Sequence, residues 1–197
     1  MTRVCLVGAP EVNLQYELLS RETAREALAT YDIHEPFHNS LGVETVSLGA
    51  AVALLNDLDW YLVRFVDEAM VLEPSVDGSE WLSRDLATAI RDDELDRESS
   101  DRFLKIYGLE SVDSAGEPDR EGAADETDRQ GRVGTEQAAP AAAGDDGPGG
   151  SAGEGDGPMR LVEPMYVTRT GGSVPSYDLR DVDETLVERV TESEFGA

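Results

Sequence analysis

The chain has 197 residues, 42 acidic and 16 basic, for a formal charge of −26; Lys105 is the single lysine among the basic residues. That balance excludes a nucleic-acid binder built on a basic patch, and one cysteine, Cys5, excludes an intramolecular disulfide framework. No apolar run approaches the ~20 residues needed to cross a bilayer, so no membrane role is expected.

The acidity is spread along the chain rather than gathered in one block. Self-repulsion on this scale is tolerated where molar salt shortens the Debye length to ~3 Å, so the charge reads as adaptation to a saline cytoplasm. An even spread disfavours the rival reading, a nucleic-acid mimic or a partner for a basic protein. The opening MTRVCLVGAPEVN has too short an apolar run for a signal peptide, which makes the cytoplasm the expected location.

Arg3 to Gly8 is an apolar run closed by Gly-Ala-Pro, and is expected to be a central strand with Cys5 buried in it. Neither nucleotide-loop spacing follows it. Asn13 to Leu19 fits a strand or the first turns of a helix; Ser20 to Tyr31 carries a helical stripe of Ala24, Ala27, Leu28 and Tyr31. His34 and His38 lie four apart, but Pro36 between them denies a helical metal pair, so a loop with two solvated histidines and no metal is expected.

Residues 43–76 hold most of the core-forming sequence. Ser47 suits a helix N-cap, with Leu48, Ala51, Val52 and Leu55 at helical spacing behind it. Trp60 to Val66 is aromatic and β-branched and reads as a strand, Asp67-Glu68 as a two-residue turn, and Ala69 to Glu73 as the partner strand stopped by Pro74. Asp77 to Glu80 has a capping-box pattern opening a helix with Leu82, Leu86, Ala89 and Ile90 buried. A shorter helix is expected from about Ser100, with Phe103, Leu104 and Tyr107 apolar and Gly108 closing it.

Residues 111–158 contain 11 of the 19 glycines and no aromatic, too little apolar surface to offset chain entropy, and are expected to be a disordered acidic insertion. The 39 residues 159–197 are too few for a core of their own, so they should complete the domain begun by residues 1–110. Met159 to Thr168 reads as a strand with Pro164 at an edge or bulge, Arg169 to Pro175 as a turn or loop, and Asp181 to Phe195 as helix or strand, with strand favoured.

Two features suggest a ligand. Arg64, in a strand, would share an otherwise apolar face with Trp60, Leu62 and Val66, and a buried arginine needs a salt bridge or a ligand. Arg169, Gly171, Gly172 and Ser173 could form an anion-binding nest, although paired glycines equally suit a plain turn. No catalytic residue set stands out, and no cofactor is implied.

The stretches 18–31 (LLSRETAREALATY), 60–68 (WYLVRFVDE), 80–86 (EWLSRDL) and 161–173 (LVEPMYVTRTGGS) resemble a family of small, uncharacterised haloarchaeal proteins, a domain of unknown function. The resemblance implies a haloarchaeal cytoplasm and carries no activity. The expected fold is α+β: a mostly antiparallel sheet with three or four helices in a single interrupted domain. The leading functional expectation is a non-catalytic interaction or regulatory module with a protein partner. The alternative is an enzyme or binder for a small anionic ligand held by Arg64, Arg169 and the Gly171-Gly172 turn.

Overall fold

A computed structural model describes residues 1–112, 158–182 and 184–196. The disordered insertion expected at 111–158 falls almost wholly outside them.

Seven strands form one sheet: β1 (Thr2–Gly8), β2 (Ser40–Thr45), β3 (Val66–Leu72), β4 (Trp81–Ser83), β5 (Phe103–Ser111), β6 (Met159–Thr168) and β7 (Glu184–Arg189). Their order is β2-β1-β3-β4-β7-β5-β6, antiparallel throughout except for β4–β7. Six short helices accompany it among the described residues: α1 (Leu14–Leu19), α2 (Glu22–Leu28), α3 (Leu48–Asp57), α4 (Asp59–Phe65), α5 (Arg84–Arg91) and α6 (Glu192–Phe195). The α+β expectation holds, with more helices than the three or four anticipated. None is long and apolar enough to cross a membrane.

One sheet face is covered by helices. Val4, Leu6, Leu41, Val43, Val71 and Leu82 point into a core filled by Leu14, Leu18, Leu28, Leu55, Leu62 and Leu86 from α1 to α5. Ser47 caps α3 as expected, accepting from the Ala50 N–H at 3.2 Å. β1 is central, flanked by β2 and β3. Asn13 to Leu19 resolves to helix, because Asn13 Oδ1 accepts from the Tyr16 N–H at 2.9 Å and caps α1.

Three expectations fail. Trp60 to Val66 is not a strand: residues 59–65 are α4, and Asp67-Glu68 lies inside β3 rather than in a turn. Burial of Leu58, Leu62 and Phe65 recurs at helical spacing, so packing against the core overrides β propensity. Arg64 is therefore exposed on α4 beside exposed Trp60 and Val63, not embedded in an apolar strand face; its Cζ lies 5.4 Å from the Trp60 ring centre. The second failure is the helix from Ser100. Residues 103–111 form β5, where two strand neighbours supply the backbone partners, and Gly108 is a strand residue whose Cβ would meet Val182 Cγ1 at 2.9 Å. The third is the helix start at Asp77. Its carboxylate does accept from the N–H groups of Ser79 and Glu80, at 2.8 and 2.9 Å, but the chain then enters β4, and α5 begins at Arg84 under a Ser83 cap.

At the chain's end, Thr185 to Arg189 is strand, as favoured, and Thr191 with Glu194 makes a capping box for α6. β6 is an edge strand whose register shifts where Glu163 and Pro164 oppose the single residue Tyr107, the bulge that Pro164 suggested.

The other sheet face is concave and, among the described helices, carries only the four-residue α6, whose Phe195 packs against Phe103 of β5 and Tyr166 of β6. The sheet curls until its edges nearly meet, and the His38 N–H, just before β2, donates to the Met159 carbonyl at the start of β6 at 2.7 Å. Cys5, Met70, Tyr107, Leu109 and Leu186 form a second, smaller core inside that curve.

Candidate functional site

A cavity of about 800 Å³ opens on the concave face. Its walls come from the β1–α1 connection, the 35–39 loop, the start of β3 and the middle of β6. Both irregularities in the β1–β3 and β5–β6 ladders border it: Asp67 is the extra residue where Val7 pairs with Glu68 and Gly8 with Val66, and Glu163-Pro164 is the other. Such bulges re-aim side chains where a strand borders a site. The loop wall is equally particular. Asn39 adopts φ 54, accepts from the Leu14 N–H at 3.0 Å and donates through Nδ2 to the Ala9 carbonyl at 3.2 Å. A side chain on Gly8 would meet Asn39 Nδ2 at 2.6 Å, so this glycine allows the close approach.

Glu68 and Tyr107 reach the cavity, and beneath them lies a buried polar cluster. One carboxylate oxygen of Glu68, Oε2, accepts from both the Lys105 ammonium and the Tyr107 hydroxyl. The other, Oε1, has no hydrogen-bond partner among the described residues. β alternation places Leu186 and Glu188 on this same side of β7, opposite Tyr107 and Lys105 of β5. Glu188 is wholly buried, and neither of its carboxyl oxygens has a partner among the described residues.

The electrostatics follow from this packing. Burial pushes the Glu188 carboxyl well above the ordinary range; the Glu68 charge adds to the push, and Lys105 opposes it. Burial draws Lys105 down, but the adjacent Glu68 carboxylate outweighs it and holds the ammonium above its usual value. Burial, then Glu68, raises the Tyr107 phenol far above its ordinary value. The Cys5 thiol is pushed up to about 12, chiefly by burial. Lys105 is therefore a fixed cation, Tyr107 a fixed donor and Cys5 an inert buried thiol. The cluster offers an oriented carboxylate, and no amine or thiol nucleophile.

The residues singled out from sequence lie elsewhere. Arg169 pairs with Glu80 and approaches Asp101 at 3.7 Å, so its charge is already engaged. Gly171 and Gly172 sit at φ 64 and 80 in a turn bridged by Thr170 and Ser173, the form that primed hairpin turns take. Arg64 shares no partner with Arg169, and neither lines the cavity. His34 and His38 are both exposed, and no group of three or more His, Cys, Asp or Glu among the described residues is arranged to hold a metal ion. Sequence reasoning missed Glu68, Tyr107 and Glu188. The one available signal was Lys105, a lone lysine where arginine is otherwise used throughout.

A family model described as a family of unknown function (DUF5804) matches residues 2–109. The matched stretch includes Glu68, Lys105 and Tyr107 but ends before β6 and β7, which bring the far wall and Glu188. No curated protein and no solved structure matches the chain.

Proposed function

The chain belongs to a family of unknown function, and from that premise we propose that it is a non-catalytic binding module for a small molecule held in the concave-face cavity. One observation carries this reading: a cavity of ligand size has at its floor a carboxylate held by two donors, with its other oxygen unpartnered among the described residues. Pre-orientation of that kind lowers the cost of binding, since the anchor needs no reordering. The locked protonation of Lys105 and Tyr107 argues against an enzyme acting through either.

The test starts from protein purified from its own high-salt lysate. Denaturation should release a small molecule from the wild type, and Leu161→Trp, which fills the cavity from β6, should release none. A wild type that releases nothing, or an unchanged Leu161→Trp, would overturn the reading.

A protein partner is the second reading, supported by Trp60 and Val63 standing 56% and 82% exposed on α4 with Arg64 beside them. Exposed tryptophan and arginine are the residue types that anchor protein interfaces. A polypeptide cross-linked to the wild type and lost in Trp60→Ala would favour it; cross-links indifferent to Trp60 would remove it. The charge of −26 supports a saline, haloarchaeal-type cytoplasm as the setting. There, dialysis to low salt should loosen the fold; a native circular dichroism spectrum at low salt would count against that setting.

A further inference from the structure

We propose that the cavity's ligand is an organic cation, an ammonium or guanidinium head on an apolar body, with Glu68 Oε1 as the acceptor for the head. The inference rests on the binding reading above and names its ligand class.

The positive charges near the cavity are already spent. Arg160 pairs with Glu110 at 3.2 Å, and Arg180 pairs with Glu163 at 2.9 Å and Glu110 at 3.4 Å. Lys105 and Tyr107 both direct their donors at Glu68 Oε2. An anion entering the cavity would find no free cationic side chain among the described lining residues, and would face Glu68. A ligand with a donor-bearing cationic head meets the opposite situation. Five carboxylates line the cavity against two arginines, and the floor carboxylate has one oxygen without a partner among the described residues. Behind it, outside the lining, the fully buried Glu188 carboxyl lies on the same side of the sheet with no partner of its own among the described residues.

A hard metal cation fits poorly. It needs six or so oxygens converging at about 2.0–2.6 Å, and the described carboxylates are not grouped that way. The remaining lining explains the apolar body: Val7, Val12, Leu161 and Val162 provide aliphatic wall beside the charged floor. An amine on a hydrocarbon stem satisfies both surfaces, with a charge-assisted hydrogen bond to Glu68 and burial of the stem.

Three probes sharing one body separate the classes: phenylbutylamine, phenylbutanol and phenylbutyrate, titrated into the full chain by calorimetry in molar salt, which screens the surface charge. The amine should bind roughly tenfold or more tightly than the alcohol, the worth of a hydrogen bond to a charged group, and the carboxylate should not bind. Glu68→Gln should cost the amine a similar factor while sparing the alcohol; Asp85→Asn, an exposed acid on α5, should change nothing. Should Glu68→Gln fail to fold, Leu161→Trp serves instead and should exclude amine and alcohol alike. Alcohol or carboxylate binding as tightly as amine would overturn the cation assignment and leave the cavity reading intact. No binding of any probe at millimolar concentration would overturn both.

Discussion

Arg189→Ala should lower the melting temperature by about 10 °C, the consequence of losing about 3–5 kcal/mol when one partner of a buried ion pair is removed. The Arg189 side chain is 7% exposed. Its Nε donates to Glu80 at 2.5 Å, and its terminal nitrogens donate to Asp77 at 3.1 Å and Ser100 at 3.2 Å. Glu80 in turn holds Arg169. The network fastens β7 and the end of β6 to the 77–80 turn, so two guanidiniums, Arg189 and Arg169, tie the last strands of the chain to its first part. Removing Arg189 takes the partner from Asp77 Oδ2 and leaves Glu80 with one cation in place of two. Arg180→Ala is the comparison, because that side chain is 43% exposed and solvent screens its pairs. Thermal unfolding in molar salt measures both. Equal small losses would show that the Arg189 network contributes nothing beyond a surface pair.

Glu188→Gln should act in the opposite direction and stabilise the protein at neutral pH, because the neutral amide is buried without the proton uptake that the carboxyl needs. The sign follows from linkage. The folded-state carboxyl sits above its ordinary value of 4.5, so between that value and its folded one the native state holds a proton that the unfolded chain has released. Stability due to Glu188 is complete below the unfolded value and declines as pH rises toward the folded one, by at most about 1.4 kcal/mol per pH unit. The glutamine variant has no such proton to hold. The gap between variant and wild type should therefore open as pH rises from about 4.5. Denaturant melts at several pH values read it directly, and a gap that is constant or reversed would mean that Glu188 is ionised at no cost in the folded protein.

Both residues lie on β7, next to each other, and the pleat separates their fates. Arg189 faces the side where Asp77 and Glu80 converge and is satisfied. Glu188 faces the concave side, where Glu68 is already committed to Lys105 and Tyr107, and is not. An uncompensated carboxyl that must hold its proton beneath the cavity gives up stability, a trade expected where function rather than folding sets the residue.

Local sequence pattern alone determined the elements whose own residues settle the matter. β1 is an uninterrupted apolar run, Ser47 stands ahead of a clean helical stripe, the Gly171-Gly172 pair takes the positive φ that its turn requires, and Pro164 marks the bulge of an edge strand. The burial of Cys5 and the exposure of His34 and His38 were legible for the same reason. Tertiary structure decided the rest. Trp60 to Phe65 has the composition of a strand and is a helix, because Leu58, Leu62 and Phe65 must reach a core that only the folded sheet defines. Phe103 to Ser111 has helical spacing and is a strand, because β6 and β7, distant in sequence, supply its hydrogen bonds. The cavity depends on the same long-range pairing. Glu68, Lys105, Tyr107 and Glu188 come from three strands, and they meet only when a curled sheet brings β3, β5 and β7 to face one another. Periodicity reports the neighbours a residue has along its own element; a site is made of neighbours across elements, and those are set by register and curvature.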